Sequence, residues 1–120
     1  MNLPMTQMAE AAGAASALLK ALAHPHRLMI LCRLVQGEAS VRELAGLLAL
    51  RDSTTSQHLA LLRREGLIRP RRDAQTIWYS IASSQARAVM ETLFRLYCHA
   101  DPACIADGGR PAALMTSQEA

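Results

Sequence analysis

Three cysteines, one run of small polar side chains and a concentration of arginines are the groups in this chain with chemistry to offer. The thiols are Cys32, Cys98 and Cys104. A thiolate attacks oxidants and sulfur donors, and it binds soft metals; a cationic neighbour lowers its pKa. Arg33 adjoins Cys32, and Arg95 stands one helical turn before Cys98, so activated thiols are expected at both places. Cys32 also falls on a stripe with Leu28, Leu31 and Val35, where cysteine serves equally well as a small buried hydrophobe. A Cys98, His99, Cys104 zinc site is a further reading, weakly specified by its spacing.

The polar run is Ser53-Thr54-Thr55-Ser56-Gln57-His58. An exposed helical turn chosen for stability alone would carry Glu, Lys or Arg. Short hydroxyl and amide side chains instead suit base edges and phosphates in a major groove. Between residues 27 and 72 nine arginines face four acids, although the whole chain carries a net charge of only +3. A basic middle between neutral and acidic flanks is the electrostatic footprint of a polyanion-binding surface. Ser53, Thr54, Ser56, Gln57, His58, Arg63 and Arg64 are thereby candidate DNA contacts, with Arg69, Arg71 and Arg72 beside the phosphates and Arg51 a further anchor. His24 and His26 are read as local capping residues and not as metal ligands.

The elements that position these groups follow from periodicity and punctuation. An alanine-rich stretch from about Thr6 to Ala23 has Met8, Ala12, Ala15, Leu19 and Leu22 at helical spacing. A second helix starts near Pro25 and ends at Gly37. Ser40 with Glu43 makes a capping box for a short third helix, buried through Val41, Leu44, Ala45 and Leu48. After a tight turn, Ser53 is expected to cap a fourth helix with the inward stripe Thr55, Leu59, Leu62, ended by Gly66. Residues 67–72 and 76–81 flank the turn Asp73-Ala74-Gln75 and predict a hairpin. A last helix runs from about Ser84 to His99. It is apolar on more than one side, which calls for a second partner such as another subunit. The expected class is mainly α with a small β-hairpin: a winged helix-turn-helix of about five helices and a two-stranded wing over residues 1–106. Residues 107–120, rich in glycine and polar groups, read as a flexible tail.

A chain of 120 residues suits one core, and with 51% hydrophobic but only 3% aromatic residues that core must be aliphatic. No run reaches the length of a membrane-spanning helix and no basic leader stands at the start, so a cytoplasmic protein without membrane contact is expected. An enzyme is not expected: the thiols form no Cys-x-x-Cys motif, and thiol oxidoreduction would leave the basic hairpin unexplained. A pure protein-interaction module would explain the apolar terminal helices but not the Ser-Thr-Gln-His face.

Two segments together carry a resemblance. Leu18-Leu19-Lys20-Ala21-Leu22-Ala23-His24-Pro25 precedes Arg27-Leu28, and Ser53 to His58 continues through Leu59, Leu62 and Arg63-Arg64-Glu65-Gly66-Leu67-Ile68. In this order they resemble the ArsR/SmtB family of bacterial repressors, over about residues 18–98. The resemblance implies a homodimer through the first and last helices. It also implies a double-stranded, inverted-repeat operator with half-sites roughly 34–36 Å apart. The family's third-helix Cys-Val-Cys metal box is replaced here by Val41-Arg42-Glu43-Leu44-Ala45. The last-helix zinc ligands are replaced by Arg87, Met90 and Leu93, so no metal cofactor is expected at either place.

The contexts Ile30-Leu31-Cys32-Arg33-Leu34 and Arg95-Leu96-Tyr97-Cys98 resemble the family's sulfide- and persulfide-responsive SqrR/BigR/YgaV/HlyU branch. That resemblance implies an inducer-sensing pair, Cys32 and Cys98, which a reactive sulfur donor joins by a disulfide or polysulfide, lowering operator affinity. Cys104 is a departure from this pair. With Cys98, and with or without Cys32, it supports the alternative of an arsenite- or antimonite-responsive repressor with As(III) or Sb(III) as inducer.

Overall fold

The helices and strands form where the sequence supplies their ends. The computed structural model describes residues 4–98, which form α1 (Met5–Leu22), α2 (Pro25–Val35), β1 (Ala39–Ser40), α3 (Val41–Leu48), α4 (Asp52–Arg64), β2 (Ile68–Asp73), β3 (Thr76–Ile81) and α5 (Ser84–Cys98). The segment 107–120, His99 and Cys104 lie outside the described residues, as does the side chain of Cys98.

Pro25 opens α2, and the His24 side chain caps it by accepting the His26 N–H through Nδ1 at 3.1 Å. Ser40 caps α3 in a reciprocal box: the Glu43 N–H donates to Ser40 Oγ at 3.2 Å, and the Ser40 N–H donates to Glu43 Oε1 at 3.1 Å. The helix α4 departs from expectation. It starts at Asp52, with Arg51 in the capping position and no side-chain cap, so Ser53 lies inside the first turn. The turn is held instead by Thr55, fully buried, whose N–H and Oγ1 both donate to the Arg51 carbonyl at 3.0 Å. Asp52 at the start of α4 and Arg63 and Arg64 at its end also complement the helix dipole.

The core is aliphatic, as composition required. Ile30, Leu31, Leu34, Leu44, Leu59, Leu62 and Met90 are buried, drawing α2, α3, α4 and α5 onto one centre. The expected two-stranded hairpin forms as β2 and β3, and a third strand, β1, joins it. The antiparallel sheet has three strands in the order β1-β3-β2, with Ala39 opposite Tyr79 and Ser40 opposite Trp78. A strand of two residues has no period to read, and Ala39 and Ser40 are placed by their pairing with β3. Ile68 pairs with Ile81 at the hairpin base and Asp73 with Thr76 at its tip, where Ala74 takes a left-handed φ of 57°. The fold is a winged helix-turn-helix, with five helices among the described residues.

Candidate nucleic-acid interface

Helix α4 divides cleanly into two faces. Thr55, Leu59 and Leu62 are buried, whereas Ser53, Ser56, Gln57, Arg63 and Arg64 are exposed and Thr54 is half-buried. Burial of one stripe orients the helix, and the polar face this leaves outward has the size and hydrogen-bonding groups that a major groove admits. The tight α3–α4 turn sets the approach. Ala49 ends α3 in the left-handed region (φ 57°), and the Leu50 N–H closes back on the Ala45 carbonyl at 3.0 Å.

The arginines of β2 are all exposed, but they are not equivalent. Arg69 and Arg72 take part in no ion pair among the described residues. Arg71 forms a two-pronged bond with Glu38 in the loop before β1, Nε to Oε2 at 2.9 Å and Nη2 to Oε1 at 2.8 Å, with Asp73 at 4.0 Å. The hydrogen bond from Arg71 holds the Glu38 carboxyl below its ordinary range, and the same bond raises the Arg71 guanidinium. Glu38 thus ties the wing to the loop before β1 and occupies the Arg71 guanidinium. Sequence reasoning missed it, because the partners stand 33 positions apart.

His58 is half-buried on α4 and turns toward the start of α2. Its ring centroid is 4.7 Å from that of His24 and 5.6 Å from that of His26. Burial is the main cause that lowers the pKa of both His24 and His58; Arg27 and the neighbouring imidazoles add to it. The capping role read for His24 is realised.

The expectation of an activated Cys32 is overturned. The residue is only 2% exposed within α2, and burial pushes its thiol up to about 12. Arg33 does not counter this, because the next residue on a helix points about 100° away. Its guanidinium donates to the Gly37 and Glu38 carbonyls at 3.1 and 3.3 Å, and it lies 3.8 Å from Glu43. Cys32 belongs to the core cluster that also holds Ala86 and Met90 of α5, the helix whose last residue is Cys98. Arg95 donates to Thr92 Oγ1 at 3.2 Å.

Residues 24–69 match the family model of bacterial regulatory proteins of the arsR type. The chain is similar to the transcriptional activator HlyU of Vibrio cholerae, at 48% identity over 84% of this chain and 92% of the relative. It is also similar to the biofilm growth-associated repressor of Agrobacterium fabrum, at 43% identity over 81% of this chain and 83% of that one. Among solved structures, reduced HlyU from Vibrio cholerae superposes with a TM-score of 0.76 at 47% identity, over 78% of this chain and 99% of that chain. The homodimeric winged helix-turn-helix DNA-binding domain of Mb0332 from Mycobacterium bovis gives 0.69 at 28% identity, over 80% of this chain and 89% of that chain.

Proposed function

The chain belongs to the arsR family of bacterial regulatory proteins, and from that membership we propose a homodimeric repressor that leaves its operator when a reactive sulfur donor joins Cys32 to Cys98. It is a DNA-binding transcriptional regulator and not an enzyme. The polar outward face of α4, beside a wing carrying Arg69, Arg71 and Arg72, supports base reading by the helix and phosphate contact by the wing. Dimerisation through α1 and α5 is supported by the exposed Met8 and Leu19 on the one and Leu96 and Tyr97 on the other.

The observation that carries the switch is the packing of α2, with Cys32 in its buried face, against α5, which ends in Cys98. A relative with a described reduced form, HlyU of Vibrio cholerae, supports a redox-responsive thiol. Burial of Cys32 orders the steps. The Cys98 thiolate takes the outer sulfur of a persulfide donor and releases the donor as its thiolate. Cys32, deprotonated as it attacks, then displaces hydrosulfide from the Cys98 persulfide and leaves a disulfide. If both thiols are first persulfidated, the same displacement leaves a trisulfide. Either bridge ties α2 to α5 and alters the spacing of the two recognition helices. Coupling of this kind is worth about 1–3 kcal/mol, or roughly 5–150-fold in affinity.

Operator affinity of the reduced, persulfide-treated and arsenite-loaded protein tests this reading, with Cys32→Ser and Cys104→Ser alongside. Persulfide should weaken the wild type and Cys104→Ser but leave Cys32→Ser bound. Normal release by Cys32→Ser removes the bridge, and release by arsenite alone with Cys104 required replaces it with the metalloid reading.

A further inference from the structure

Three of the four histidines meet at one place, where the start of α2 touches the inner side of α4. His24, His26 and His58 are all half-buried, and one ligand nitrogen from each lies within 4.8 Å of the others. Their ring centroids are 4.7 to 5.6 Å apart. Capping accounts for one nitrogen of His24 and explains neither His26 nor His58. We propose that His24, His26 and His58 form a three-imidazole site for a divalent transition-metal ion of the zinc-to-copper class, with water completing the coordination.

Three imidazole nitrogens and an open fourth position suit zinc, nickel or copper and not the oxygen-seeking magnesium or calcium. Nitrogens held about 2.0–2.1 Å from a tetrahedral ion sit roughly 3.4 Å from one another, so the ligand atoms need to close by at most about 1.4 Å, which side-chain rotation allows. Arg27 opposes a bound cation, but its guanidinium is held on the backbone of α1, with Nε donating to the Ala21 carbonyl at 2.6 Å. The capping bond sets a further condition. While Nδ1 of His24 accepts the His26 N–H, the neutral ring carries its proton on Nε2 and has no lone pair to spare. Ligation by His24 therefore exchanges the cap of α2 for the metal, through Nδ1 directly or through Nε2 after the proton moves to Nδ1. The ion would join the first turn of α2 to the recognition helix.

The experiment titrates Zn²⁺ by calorimetry and Co²⁺ by visible absorption into the full chain carrying Cys98→Ser and Cys104→Ser, so that those thiols do not compete. His24→Asn, His26→Ala and His58→Gln are compared in the same background. Asn keeps a capping oxygen at position 24, so that variant separates ligand loss from loss of the α2 cap. One ion per chain is expected, with cobalt bands free of thiolate charge transfer. Each substitution should weaken binding at least tenfold at unchanged helical content, and zinc should raise the thermal midpoint of the parent alone. Absence of binding, or the same affinity in His26→Ala and His58→Gln as in the parent, overturns the site.

Discussion

A single buried sulfur shows how sharply side-chain chemistry depends on what cannot be read locally. Arg33 stands next to Cys32 in sequence and points elsewhere in space, and burial raises the thiol pKa. This predicts slow native chemistry. At pH 8, alkylation of Cys32 should be at least about a hundredfold slower in the folded protein than in denaturant, because only the thiolate reacts. Mass spectrometry of timed iodoacetamide reactions checks it. The linkage has a definite sign: a folded pKa raised to about 12 stabilises the fold fully below the unfolded thiol value near 8.5. That contribution is lost as pH rises from there through about 12. Denaturant melts should therefore lose stability more steeply above pH 8.5 in the wild type than in Cys32→Ala. The two faces of α4 were legible, because a helix displaying Ser53, Ser56 and Gln57 opposite Leu59 and Leu62 has only one way to sit, but the turn of His58 toward α2 was not. The Glu38–Arg71 bond and the meeting of three histidines were not, since no local rule links positions so distant in sequence.

At the level of elements, the caps written in the sequence are the ones found, with one departure at each end of the turn that aims α4. The Ser40/Glu43 box and the stop at Gly66 were legible because each is a short-range hydrogen-bond pattern. The cap of α4 was not, because the buried Thr55 hydroxyl anchors that turn from inside the helix and leaves Ser53 no such role. The strand β1 was invisible because its two residues are ordered by the sheet they join. The ends of α3 and α4 share one closing motif. Leu50 N–H bonds to the Ala45 carbonyl and Leu67 N–H to the Leu62 carbonyl, both at 3.0 Å, across a left-handed residue. That residue is Gly66 in α4 but Ala49 in α3. A left-handed alanine costs about 1–2 kcal/mol, and replacing it with glycine returns roughly 0.4–1 kcal/mol of that to the unfolded chain. Ala49→Gly should therefore stabilise the protein by about 0.5–1 kcal/mol, read as a rise of a few degrees in thermal midpoint. An unchanged or lowered midpoint would mean that the exposed methyl of Ala49 has a packing role outside the single chain.

The whole molecule poses the question of what covers its outer helices. Leu19 of α1 is 58% exposed and Leu96 of α5 is 59% exposed, while Met5, Met8 and Tyr97 extend the same apolar character. Scattered exposed hydrophobes need no explanation, but several on the two helices that flank the DNA-reading core mark an interaction surface. If a second copy covers them, as the proposed repressor requires, Leu19→Glu with Leu96→Glu should give a folded monomer. Substitutions at exposed positions normally move stability by no more than about 0.5 kcal/mol, so loss of the dimer would not reflect loss of the fold. Sedimentation should then report half the mass at unchanged helical content. Operator binding should fall by a factor on the order of 10² or more, since a monomer holds one half-site without the gain from linkage. Its salt dependence should become about half as steep, because the slope follows the number of phosphates neutralised. The two readings separate the causes. Weakened binding with an intact dimer would place these leucines outside the interface, whereas a monomer that binds with full affinity and slope would show that one reading head suffices.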